Sequence, residues 1–500
     1  ITGGDSMTPA SASSQHEPLP TSVFLAIFSA VFLPMFLAAV DQTLLATATP
    51  AIVEDLGGLR QASWITIGYM LAMAASVPIY GWLGDNFGRA KILMIALVVF
   101  ALGSVVSASA WTMDHMIAGR ILQGLGGGGL MSLSQSLVGE LVPIRQRARF
   151  QGYFAAMFTL ASVGGPVIGG FVVHAYSWHW LFWANIPLVM LAVWRLNRLH
   201  KQSVKPVRQG QFDLLGVLLF PAIITALLYW LSVAGQDFAW LSATSLGFMG
   251  FICAGALVLL WWERQRESPF LPLDLLANKA IYMPLFTAAL FAACLFAMIF
   301  FLPIYLQVGL HTNPAKTGLL LMPMTFGIVT GSTIAGRLLS RDVAPKWLPT
   351  FGMCLAFIGL LLIGLVPPNA NLIGGLGVLV GIGLGTVMPS VQLVVQSVSG
   401  KARLSQITAM VSLSRSMGAA IGTALFSLLL YGLLPLEGAQ VGIAAIKQLP
   451  VEVVHHAFQW GFIAAALVAL SCAIVGYLSP ATPLKDHDAE PLPKAASPAD

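Results

Sequence analysis

The chain has 500 residues, of which 57% are hydrophobic and only 9% charged, and its mean hydropathy is +0.83. A soluble chain of this length forms two or three domains and carries about a quarter charged residues, so that class is excluded. No phosphate-cradling P-loop, metal-ligand spacing or nucleophile elbow is present, which excludes ATP-driven transport within this chain and gives no basis for an enzyme, a metal or a cofactor.

Residues 1–21 come first. Ile1–Ser6 precede Met7 and read as a cloning remnant, and the polar, Pro- and Ser-containing stretch after them is expected to be disordered. Apolar blocks of about twenty residues follow, matching the ~30 Å hydrocarbon core at 1.5 Å per helical residue. The first block lacks a basic flank and a small-residue cleavage site, so it is expected to be a retained span and not a signal peptide. Fourteen spans are predicted, near 22–46, 62–84, 90–110, 112–138, 148–173, 178–199, 213–234, 240–262, 282–308, 315–339, 347–367, 371–398, 404–432 and 455–478. Cys253, Cys294, Cys354 and Cys472 all fall within apolar blocks and read as small packing residues.

Lys and Arg are unevenly divided between the two sets of connections. One set, taken with the C-terminal tail, holds twenty; the other holds three, Arg60, Lys316 and Lys447; Arg120 and Arg415 lie within spans. Positive charge accumulates on the cytoplasmic side, so both termini are expected there, in a bacterial inner membrane. The net charge of +5 is thus a topology signal, with no nucleic-acid partner implied. The longest basic linker, 195–211, closes the first six spans, and a second, 263–279, follows two more. The expected plan is a six-helix bundle over 22–199, linkers with two inserted helices over 200–279, a second six-helix bundle over 280–478, and a disordered cytoplasmic tail over 479–500.

The connection between the second and third spans reads Gly81-Trp82-Leu83-Gly84-Asp85-Asn86-Phe87-Gly88-Arg89-Ala90-Lys91. Its glycines permit a tight turn and close helix approach, while Asp85 and Arg89 place opposite charges at the rim. Taken alone, the run is equally a turn with topogenic charges. The fourth span contains Ile117-Ala118-Gly119-Arg120-Ile121-Leu122-Gln123-Gly124, and the fifth contains Gly165-Pro166-Val167-Ile168-Gly169-Gly170. Trp178–Pro187 opens the sixth, and Ala39–Pro50 ends the first around Asp41. These runs resemble motifs A, B and C of the major facilitator superfamily, with the aromatic signature and motif D1 of its fourteen-span drug:proton antiporters. There are two departures: Ala161 stands where motif C has a further glycine, and Ala46 or Thr47 where motif D1 has Asn.

The resemblance covers nearly the whole chain. It implies an all-α integral membrane protein of the major facilitator fold, with two pseudo-symmetric six-helix bundles, two inserted helices and a transport site near the midplane. It also implies proton-coupled export of small amphipathic compounds such as drugs by alternating access. The partners are then a small-molecule substrate, protons and the lipid bilayer, and the chain is expected to be a monomer. The role of the inserted helices is left unassigned.

Asp41 is the only carboxylate well inside a predicted span, and Arg120 is its obvious partner. A buried carboxylate must face a cavity, find a partner or bind a proton. Two readings stand: proton coupling at Asp41 and Arg120, or a static pair tying the first and fourth spans. Gly165, Pro166, Gly169 and Gly170 are read as a kinked, closely packed segment, which the family uses to seal its halves. Asp85, Arg89, Glu140 and Arg149, with Gly81, Gly84 and Gly88, form a candidate cytoplasmic latch, or else solvated charges. Gln123, Phe300, Tyr305, Gln392, Gln396 and Arg415 are candidates for the substrate cavity; packing, or snorkelling for Arg415, explains them as well. A single buried acid argues for monocationic, zwitterionic or neutral cargo. The alternatives are a lipid or lipid-precursor exporter, a dedicated metabolite or siderophore exporter, and a non-transporting membrane scaffold.

Overall fold

A computed structural model describes residues 21–57, 61–62, 64–200, 213–234, 238–266, 270–341, 343–434 and 449–482. The segments expected to be disordered, 1–20 and most of the tail, lie outside the described residues, as does the centre of the first basic linker. The helices are α1 (Thr21–Leu56), α2 (Trp64–Phe87), α3 (Arg89–Ala108), α4 (Met113–Leu141), α5 (Ile144–Ala175), α6 (His179–Trp183) and α7 (Asn185–His200). After them come α8 (Leu214–Val233), α9 (Ala243–Glu263), α10 (Leu273–Leu276), α11 (Lys279–Ile304), α12 (Pro314–Leu339), α13 (Trp347–Leu365), α14 (Ala370–Gly385), α15 (Val387–Ser399), α16 (Leu404–Leu433) and a final α17 (Val451–Leu478). A π-helical turn, Tyr305–Gly309, extends α11.

Local chemistry sets many of the helix starts. Thr112, Asp213, Ser242, Asn278, Asn313 and Asn369 each accept a backbone N–H of the helix that follows, relieving amides that have no intrahelical partner. Pro314 follows Asn313 at the first helical position, where its missing N–H costs nothing. Gly88 separates α2 from α3 at φ 95°, a conformation an L side chain resists. The block predicted as one span near 371–398 is two helices, α14 and α15, joined at Thr386, whose hydroxyl donates to Leu348 and Gly383 carbonyls at 3.0 and 2.8 Å. Pro389 in the first turn of α15 has no N–H to give to an α14 carbonyl, which accounts for the break.

Among the described residues, eleven stretches of helix are long and apolar enough to cross a membrane. The predicted spans near 112–138, 148–173 and 178–199 correspond to α4, α5 and α6–α7, which are outside that count. Gly126–Gly129 and Arg120 dilute α4, and a turn at Ala184 divides the sixth block into pieces of 5 and 16 residues.

The helices form two halves with the same internal pattern. In the first, α4 packs against α2 and α3, α1 against α5, and α7 against α1 and α3. In the second, α14 packs against α12 and α13, α11 against α16, and α17 against α11 and α13. The halves meet through α2 against α16 and α5 against α12, so the second helix of each touches the fifth of the other. The pair α8–α9 lies outside both, with α8 resting on α2 and α16. Its outer helix exposes Leu246, Phe251, Leu257, Val258 and Trp261, as a lipid-facing surface would.

Candidate functional site

Two buried polar clusters hold most of the charged residues that the sequence singled out. The first lies where α1, α2, α3 and α4 converge. Arg120, 1% exposed, donates from Nη1 to Asp41 Oδ2 at 2.7 Å, and Asp41 is itself 4% exposed. Gln123, one turn further along α4, donates to the other carboxylate oxygen, Oδ1, at 2.8 Å and to Ser104 Oγ at 2.9 Å. Its own carbonyl oxygen accepts from Arg120 Nη1. The guanidinium also donates from Nε to the Ile65 carbonyl at 3.2 Å and lies 4.2 Å above the Tyr69 ring. Asn185 completes the cluster by donating to Ser104 Oγ at 3.2 Å.

Glycine makes this convergence possible. A Cβ on Gly103 would sit 2.3 Å from the Gln123 backbone nitrogen, so only hydrogen there lets α3 approach α4 closely enough for Ser104 to reach Gln123. Both Asp41 oxygens are therefore occupied by donors that favour the carboxylate. Besides Asp41, the guanidinium holds the Gln123 and Ile65 carbonyls and the Tyr69 face.

The second cluster joins the two halves. Asp85 Oδ1 accepts from Arg89 Nη2 at 2.7 Å and from the Ser405 amide at 3.0 Å, while Oδ2 accepts from the Gln406 amide at 2.9 Å. Asp85 thus caps the N-terminus of α16 from the other half, where opposite charge is favoured; Arg403, at the N-cap, offers no side-chain bond of its own. Arg89 reaches Glu140 Oε2 at 2.7 Å, Ser405 Oγ at 2.8 Å and the Lys401 carbonyl at 2.6 Å. The motif's glycines permit the crossing, since a Cβ on Gly81 would meet Ala409 Cβ at 2.7 Å and the Ser405 carbonyl at 2.9 Å. The Arg149 side chain lies outside the described residues.

The remaining predicted residues do not gather into one place. Gly165 packs within its own half: a Cβ there would lie 2.1 Å from Thr43 Oγ1, and that hydroxyl donates to the Ala161 carbonyl at 2.9 Å. Gly169 is buried, Gly170 faces open space, and α5 runs on past Pro166 to Ala175; the Pro166 side chain is outside the description. Gln123 belongs to the Asp41 cluster and is fully buried there. Tyr305 is also buried, with its hydroxyl on His455 Nδ1 of α17, whereas Phe300 is 49% exposed. Gln392 and Gln396 do share a face, at the seam: Gln392 donates to Thr408 at 3.4 Å and Gln396 to the Gln135 carbonyl at 3.5 Å. Arg415 is half-buried and points across the seam to Met131 Sδ at 3.7 Å.

Sequence reasoning missed Tyr69, Ser104 and the two α16 amides. A tyrosine in an apolar block reads as packing, and a backbone amide leaves no signature when its partner comes from another half of the chain.

The Major Facilitator Superfamily profile matches residues 31–423 and again 285–499. The chain belongs to the Major Facilitator Superfamily. It is a multi-pass membrane transporter, not an enzyme. It is 31% identical over 399 residues to the "Multidrug transporter protein MdtP" of Bacillus subtilis, covering 79% of this chain and 73% of that one. It is 31% identical over 506 residues to an "Uncharacterized MFS-type transporter" of Mycobacterium tuberculosis, covering 95% and 73%. Among solved structures, a proton:xylose symporter matches with a TM-score of 0.64 at 13% identity, covering 94% of this chain and 99% of that one. A bacterial ferroportin homologue in the outward-facing state matches with a TM-score of 0.62 at 11% identity, covering 91% and 99%. At those identities the structures establish the fold alone.

Proposed function

We propose that this transporter is a fourteen-helix proton-coupled antiporter that exports small amphipathic compounds from the bacterial cytoplasm. The observation that carries the reading is the buried Asp41–Arg120–Gln123 cluster, in which a proton and a guanidinium compete for one carboxylate oxygen. The multidrug transporters among the relatives support the cargo class. In this reading α4, α5 and α6–α7 complete the first six-helix bundle, α8–α9 are the inserted pair, and α11 to α17 form the second bundle.

The Lys and Arg bias supports a cytoplasmic position for the α2–α3 turn. Among the described residues, hydrogen bonds cross between the halves at that end from Asp85 and Arg89 to α16, Gln396 to Gln135 and Ser332 to Gln151, with only the Arg415–Met131 contact deeper in the seam. The arrangement is thus the state sealed toward the cytoplasm. A proton from outside loads Asp41 and frees Arg120; rocking of the halves about the seam breaks the Asp85 cap and presents the site to the cytoplasm. There the proton leaves, cargo enters, and the latch re-forms.

In this reading Asp41 serves the proton, and Arg415 has no acidic partner among the described residues. Monocationic, zwitterionic or neutral cargo fits this balance. In an exporter-deficient bacterium, the wild type is expected to confer dye efflux and resistance to such compounds, and Asp41→Asn to lose both at equal expression. Robust export of dications dependent on a different acid would contradict the cargo assignment.

A further inference from the structure

A third polar cluster lies outside both sites, at the base of the inserted helices. Asp213 caps α8 and Glu263 ends α9, and they are 3% and 1% exposed. Each carboxyl has one oxygen saturated by N–H donors. Asp213 Oδ1 accepts from the Gly216 amide at 3.1 Å and from Trp262 Nε1 at 3.0 Å. Glu263 Oε2 accepts from the Leu271 amide at 3.2 Å. The other two oxygens, Asp213 Oδ2 and Glu263 Oε1, are buried, and no N–H or O–H donor of the described residues reaches them.

Those two free oxygens converge. A Cβ built on Gly216 would lie 2.6 Å from Glu263 Oε1 and 2.7 Å from Asp213 Oδ2, so a glycine clears the spot on which both acids aim, and the two oxygens face one another across it. Two carboxyls can hydrogen-bond to each other only through a proton held between them. Two bare carboxylates in contact inside a protein repel, and a cation or a shared proton must resolve this. No cation of the described residues pairs with either acid. The charged groups on the surrounding elements are engaged elsewhere or form no ion pair here: Asp274 with Arg403, Asp85 with Arg89, Arg266 4.4 Å from the Trp262 ring centre, and Arg264, Lys279 and Arg415 with neither acid.

We propose that Asp213 and Glu263 form a buried proton-binding dyad, in which the facing oxygens share a single proton, apart from the Asp41 cluster and independent of the export reading. The proton sits between a carboxylic acid and a carboxylate; its release to solvent leaves two anions with no counter-ion among the described residues. The dyad ties the start of α8 to the end of α9 and, through Leu271, to the segment leading to Asp274 and Arg403. Proton loss therefore loosens the base of the inserted pair. Because the shared proton is held more tightly in the folded chain than in the unfolded one, its contribution to stability is present at low pH and lost as pH rises through its release.

The test uses the full chain in lipid nanodiscs. Infrared difference spectra across pH are expected to show one protonated-carboxyl band that shifts in D2O, disappears with rising pH, and is absent from Asp213→Asn. Asn keeps the α8 cap and donates an amide N–H to Glu263, so that variant retains the fold. Glu263→Gln is expected to lose the same band, and in both variants the fall of the melting midpoint with rising pH should flatten relative to wild type. The proposal is overturned if the band survives both substitutions. It is equally overturned if added Na⁺, Mg²⁺ or Ca²⁺ raises the wild-type midpoint but not that of Asp213→Asn, which would make the pair a metal-cation site.

Discussion

Arg89→Ala is expected to open the end of the molecule at which the two halves now meet. The guanidinium is the hub of four contacts, to Asp85, Glu140, Ser405 and the Lys401 carbonyl, and it is 7% exposed. Its loss leaves the buried Asp85 and Glu140 without this cation, and breaking a buried pair from one side costs about 3–5 kcal/mol. In the proposed cycle only the closed state contains the assembled cluster, so most of that cost falls on closure. At about 1.4 kcal/mol per factor of ten, the open-to-closed ratio should rise by roughly a hundredfold or more. A cysteine at Ala409, buried against Gly81, reports the change once the native cysteines are replaced. In inside-out vesicles it should react slowly with an impermeant maleimide in the parent and rapidly in Arg89→Ala. Arg89→Lys should fall between them, since an ammonium keeps the charge but not the planar fork. Unchanged labelling would remove Arg89 from the latch.

The Asp41–Arg120 pair is expected to show strong non-additivity. Asp41→Asn alone strands a guanidinium that is 1% exposed, and Arg120→Met alone strands a carboxylate that is 4% exposed. Each single substitution should destabilise the chain by about 3–5 kcal/mol. The double variant strands no charge, and the Met side chain can lie against the Tyr69 ring where the guanidinium lay. It should be more stable than the sum of the singles by about 2 kcal/mol, read from thermal unfolding at one pH. Additive losses would mean that the two charges are not each other's counter-ions.

Much of this site was legible in the sequence because hydrocarbon leaves so few options. A carboxylate and a guanidinium inside apolar blocks must find one another, and Asp41 and Arg120 do. Neutral polar residues obey no such compulsion, so an amide at Gln123 suits a cavity or a cluster equally, and the close α3–α4 crossing at Gly103 decides it. Asp85 was legible as a rim charge but not as the cap of α16, since a free helix amide leaves no trace in sequence. Asp213 and Glu263 escaped notice for a similar reason: acids at the ends of apolar blocks are ordinarily solvated, and only the packing of α8 on α9 buries them. Hydropathy also fused α14 with α15, because Thr386 and Pro389 break a helix without breaking an apolar block.

Proton movement in liposomes tests the coupling role of Asp41 most directly. Protein reconstituted with a trapped pH dye and given a gradient of a lipophilic monocation should move protons against the cargo, and Asp41→Asn should bind the cargo yet move none. Cargo-driven proton flux in Asp41→Asn equal to that of the wild type would contradict it.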